Sequence, residues 1–149
     1  MAWTLTITPS TDVEILGKRH LTLKLDFICD GAALTQTALS TFTGWSGLND
    51  EQRMGVTYGR LVSLTTVPGT GATLPDLTYT VDLYTGLGAV MLALTARSVT
   101  VVEVAYPSAT SEIAPNMQGI PSIAVGDLGT SGDTTTIYLE VAWGAIKTR

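Results

Sequence analysis

The chain has 149 residues, of which 45% are hydrophobic and only 14% charged, with a formal net charge of −5. An acidic chain with eight dispersed Lys and Arg residues is a poor partner for nucleic acid, whose binding rests on cations displacing counterions from phosphates. One histidine and one cysteine exclude an intrachain disulfide and a zinc site, which needs several such ligands.

The opening residues 3–8, WTLTIT, alternate apolar and hydroxylated side chains as a half-buried strand does. With no basic start and no continuous apolar run, this segment is not expected to be a signal peptide. Pro9-Ser10-Thr11-Asp12 reads as a turn, and a weaker strand is expected at 14–17. The adjacent Lys18 and Arg19 read as a solvated lead-in to the next strand rather than a phosphate clamp.

Residues 20–28 carry the clearest pattern, with Leu21, Leu23, Leu25 and Phe27 on one face and Thr22, Lys24 and Asp26 on the other. His20 and Asp26 share a face but stand about 20 Å apart along an extended strand, too far for a local dyad. Cys29 reads as a small buried hydrophobe. Residues 32–39 place Leu34 and Ala38 at helical spacing, and in residues 48–54 Asn49 stands three before Gln52 in a capping-box arrangement. One or two short helices are therefore expected between Ala32 and Met54. Asp50-Glu51 would occupy the first turn of the second, where carboxylates favour the helix dipole, and this accounts for the pair better than calcium does.

Further strands are expected at 56–67, 77–84, 99–106 and 135–143, with weaker ones at 90–95 and 122–125. Pro68-Gly69-Thr70-Gly71, Leu74-Pro75-Asp76, Gly126-Asp127 and the run from Gly129 to Asp133 supply the turns between them. The glycines at 69 and 71 are not a phosphate loop, since no Gly-Lys-Ser/Thr ending or helix follows. The predicted fold class is all-β: one domain, residues 1–149, forming an antiparallel sandwich of jelly-roll type or a small barrel. No stretch approaches the roughly twenty apolar residues of a membrane span.

Trp3 and Trp143 keep phase with buried strand positions and are expected in the core. Trp45, in a glycine-flanked loop, and Tyr84 are freer. A surface so poor in charge is one that other subunits cover, so Trp45, Tyr84, Leu87 and Met91 are the candidate interface residues. No catalytic residue, metal ligand or cofactor site is expected, and the chain is not expected to be an enzyme.

Residues 61–100, LVSLTTVPGTGATLPDLTYTVDLYTGLGAVMLALTARSVT, run from a strand through a Pro/Gly turn and a Pro-Asp corner into an alternating strand, a glycine turn and a short apolar stretch. This resembles a pattern in small virion proteins of tailed bacteriophages, and the opening MAWTLTITPS and closing TTTIYLEVAWG are similar in style. The resemblance implies a head-decoration or cement protein that binds the major capsid protein, works in the virion after assembly in the host cytoplasm, and forms a homo-oligomer, with a trimer favoured. A tail or neck subunit is the alternative, and a lectin-like binding module a more distant one. Where the family pattern has acidic residues, Tyr84-Thr85-Gly86-Leu87-Gly88 is more apolar, which makes this turn a candidate contact.

Overall fold

The computed structural model describes residues 3–107 and 116–144. It is mostly strand, 53% against 13% helical, arranged as two antiparallel sheets, as expected of a β-sandwich. The strands are β1 (Thr4–Ile15), β2 (Lys18–Ile28), β3 (Leu34–Ala38), β4 (Arg60–Pro68), β5 (Tyr79–Tyr84), β6 (Val90–Arg97), β7 (Glu103–Ala105), β8 (Ser122–Val125) and β9 (Thr134–Gly144), and one α-helix, α1, spans Asp50–Tyr58. The first sheet has the order β1-β2-β9-β4-β7 and the second β3-β8-β5-β6.

Alternation decides which face turns inward. Leu21, Leu23, Leu25 and Phe27 of β2 are buried, as are Ile137, Leu139 and Val141 of β9, and they share one core with Val81 and Leu83 of β5 and Ile123 and Val125 of β8. Register keeps the layers aligned, since Leu21 pairs with Val141, Leu23 with Leu139 and Leu25 with Ile137. Each such side chain contributes about 1.5–3 kcal/mol on burial. Phe27 adds edge-to-face contacts with Trp3 and Phe42, at centroid distances of 6.4 and 5.6 Å.

Helix α1 begins as its sequence dictates. The Asn49 side chain accepts from the Gln52 amide at 2.8 Å, and Gln52 Oε1 accepts in return from the Asn49 amide at 3.0 Å. The helix covers the inner face of the first sheet beyond the core. There Asp12 accepts two hydrogen bonds from Arg19, at 2.6 and 3.0 Å, and one from Gln52 Nε2 at 3.0 Å. Asp12 holds the Arg19 guanidinium protonated to still higher pH than usual.

Several expectations are corrected. Residues 34–38 form strand β3, not a helix; Leu34 pairs with Val125 and Ala38 with Ser122 across a bulge. Residues 56–58 belong to α1, because Val56 stands one turn after capped Gln52 and is buried with it, so the strand expected from 56 begins at Arg60. The strand expected over 99–106 is only Glu103–Ala105. Residues 14–17 end β1 and turn into β2, with Leu16 and Gly17 both at positive φ, so no separate strand exists there. Trp3 and Trp143 are half-buried and packed against the core rather than within it.

Tyr79 bonds the two sheets, its hydroxyl lying 2.7 Å from Thr135 Oγ1. Burial pushes the phenol above its ordinary pKa, partly offset by the bond to Thr135. The fold favours the neutral phenol, so this contribution is complete below about pH 10 and is lost as pH rises through the elevated pKa. Tyr79→Phe is expected to cost about 1 kcal/mol at neutral pH and to flatten the alkaline decline in urea stability. An unchanged decline would place its source elsewhere.

Candidate interaction surface

The tip between β5 and β6 is built to hold an apolar side chain in water. Thr85 is buried and acts as its hub: its amide donates to the Ala89 carbonyl at 2.8 Å, and its Oγ1 accepts from the amides of Leu87 and Ala89 at 3.3 and 3.2 Å. Gly86 donates to the Met117 carbonyl at 2.6 Å and lies against Gly119, where a Cβ would stand 2.3 Å from the Gly119 Cα. The loop is thus tied both to itself and to the segment before β8. On this frame Leu87 is 78% exposed and Val90 58% exposed. A hydrogen-bonded loop presents these groups at low entropic cost to a binding partner.

Register explains the rest of the patch. Tyr84 pairs with Val90 on one side and Ser122 on the other, while Leu83 pairs with Leu92, so Met91 is the extra residue of a bulge. Tyr84 is half-buried on the outer face of the second sheet, and Met91 is half-buried against the core. Three of the four candidate interface residues, Tyr84, Leu87 and Met91, therefore belong to one hairpin.

Trp45 does not join them. It opens a 3-10 turn, Trp45–Gly47, in a segment fastened to the edge of the first sheet by Ile7 N–H donating to Thr43 O at 2.8 Å and Thr43 N–H to Leu5 O at 3.1 Å. Trp45 is half-buried and packs against the core, so it contributes to the fold as well as to the surface.

Two exposed apolar groups escaped the sequence reading. The β1–β2 tip carries Val13, Ile15 and Leu16, the last 99% exposed. Its signal was Leu16-Gly17, a leucine where a two-residue hairpin turn ordinarily takes Asn or Asp. The edge around β7 carries Val101, Val102, Val104 and Tyr106, all more than half exposed or nearly so. Of the residues weighed for chemistry, His20 faces outward between Val13 and Ala142, away from the core side of β2. Cys29 is buried, its Sγ accepting from the Gly31 amide at 3.2 Å. Asp50 pairs with Arg53 and Glu51 with Arg19, inside and beside the first turn of α1.

Gly86→Ala is expected to push the tip away from Gly119 and to cost about 1–2 kcal/mol, because the added methyl meets main chain while the surface loop yields. Amide exchange at Leu87 and Ala89 should then quicken relative to the β2 and β9 strands. Equal protection in both proteins would mean that the Gly86 contact does not hold the loop.

The sequence matches no protein-family model and no curated protein.

Proposed function

We propose that this chain is a structural subunit of a tailed-bacteriophage virion, a head-decoration protein that binds the major capsid protein. It acts by burial: contacts formed only in the assembled shell favour that shell by linkage. The observation that carries the reading is the rigid β5–β6 tip, which holds Leu87 and Val90 in solvent on a loop whose backbone groups are bonded within the subunit. An exposed leucine fixed in place contributes nothing to the fold and is suited to a neighbouring subunit. The residue pattern shared with small virion proteins and the low charge of the chain support the same reading. A homotrimer about a capsid threefold position would bring three such tips to one locus.

Particles produced by a host carrying the gene test this. Mass spectrometry of separated heads and tails, with antibody-labelled electron microscopy, is expected to find the protein in heads. Recovery only with tails would make it a tail or neck subunit, and its absence from purified particles would overturn the reading.

A further inference from the structure

The described Lys and Arg residues are Lys18, Arg19, Lys24, Arg53, Arg60 and Arg97. Arg19, Lys24, Arg53 and Arg97 each lie within 4.0 Å of a carboxylate. The other two, Lys18 and Arg60, have no carboxylate partner among the described residues, and both line one cleft of about 250 Å³.

The topology brings them together. Lys18 pairs with Gly144 and Arg60 with Ala142, so the two cations flank β9 from opposite sides. Positions 142 and 144 are two apart on one strand, and paired residues share a face, so both cations project from the same face, opposite to the one that carries Val141. Their main chains stand about 12 Å apart, two strand spacings with a two-residue stagger, a gap that long Lys and Arg side chains span with one small group between them. Ala142 and Gly144 form a floor too small to fill that gap, Tyr58 supplies an aromatic wall, and Trp143, whose indole turns to the other face beneath α1, borders the cleft with its main chain. Asn116, bridged by main chain to Arg60, adds an amide to the lining. Among the described residues, no Asp or Glu lines the cleft.

We infer that this cleft binds an oxyanion, a carboxylate or phosphate group, carried on a small body that lies against Tyr58. Two cations lining one cleft with no counter-charge from the described residues repel each other, and an anion between them relieves that repulsion. The Arg60 guanidinium offers a planar fork that matches two oxygens of one oxyanion, and Lys18 offers a point charge beside it. The site lies on the first sheet and is separate from the β5–β6 tip, so it stands or falls independently of the assembly reading.

Titration of ¹⁵N-labelled full-length protein with inorganic phosphate, at constant ionic strength, tests the inference by NMR. Saturable shifts are expected at the amides of Lys18, Arg60, Trp143 and Gly144, with a dissociation constant of about 1–10 mM. Replacing Lys18→Gln and Arg60→Gln together should weaken binding at least about tenfold. Arg60→Lys, which keeps the charge and loses the fork, should weaken it by about threefold. Spectra of the variants should superpose on the native one away from the cleft, because both side chains are exposed. An end-blocked peptide with two glutamates forms the second arm. Tighter binding of the peptide than of phosphate identifies a protein carboxylate as the source, and the reverse identifies a free anion. Absence of saturation with either probe up to about 50 mM, or native affinity in the double variant, would overturn the inference.

Discussion

Leu139→Ala is expected to lower the stability of this protein by about 3–5 kcal/mol. Leu139 is 0% exposed and lies on β9, the middle strand of the first sheet, directly between Leu23 of β2 and Leu64 of β4. All three point into the space closed by the second sheet, so truncation removes apolar contact and leaves a cavity that neighbours on both sides cannot fill. For a domain of this size the midpoint of thermal unfolding should fall by about 10 °C or more. A fall of under about 2 °C would mean that the core collapses around position 139 and that β9 is not the keystone its register implies. The comparison with Leu87 is direct. The same substitution at that exposed position should change stability by less than about 0.5 kcal/mol.

Gly55→Ala is expected to destabilise as well, against the ordinary preference of helices. Alanine in a helix interior is normally favoured over glycine by about 1 kcal/mol. Here a Cβ on residue 55 would stand 2.4–2.6 Å from the Cε3, Cζ3 and Cδ2 atoms of Trp143. Glycine is required because α1 lies directly on that indole ring. The ring packs against the core, and its Nε1 is buried without an acceptor among the described residues, so a shift of the ring disturbs more than one neighbour. Helix or ring must move, and overpacking of this kind costs about 1–3 kcal/mol beyond the propensity gain. In a Trp143→Ala background the sign should reverse, with Gly55→Ala stabilising by up to about 1 kcal/mol. Urea unfolding of the four proteins in this cycle measures the coupling. Additive effects would show that helix and indole do not bear on each other.

Much of the architecture was legible in the residues. The alternation over 20–28 identified β2 and its buried face, and Asn49 with Gln52 identified the start of α1, because both signals are local and each has one structural solution. Leu34 and Ala38 misled for a definable reason. Residues four apart share a face in a helix and in a strand alike, and only pairing with β8 decides between them. Val56-Thr57-Tyr58 read as strand from its side chains, yet burial of Val56 beneath a capped helix outweighed β propensity. At the surface, the glycine turn singled out Leu87, which is exposed, and Tyr84, read as one of the freer aromatics, is half-buried on the outer face of β5. Exposure of Val90 followed from a bulge that no local pattern announces. The Lys18-Arg19 pair, read as solvated, divides between the two faces of the sheet: Arg19 turns inward to Asp12, and Lys18 turns outward and lines one cleft with Arg60. Lys18 and Arg60, far apart in the sequence, come to one cleft only through the order of strands about β9, which sequence reading does not supply.

On the proposed head-decoration reading, attachment to the shell rests on apolar burial more than on ion pairs, since the β5–β6 tip carries no charged side chain between Tyr84 and Met91. Trp45→Ala would confound its own test, because that ring also packs against the core. Leu87→Ser avoids the difficulty, as Leu87 is exposed and only its main chain is bonded within the loop. The decisive measurement is cosedimentation of the purified protein with heads stripped of it, native against Leu87→Ser, at about 0.05 and 0.5 M salt, where the Debye length falls from about 14 to about 4 Å. The account predicts native binding that changes by less than about threefold between the two salts, and a loss of at least about tenfold in affinity for Leu87→Ser at both. Native-level binding by Leu87→Ser, with release of both proteins at high salt, would contradict it.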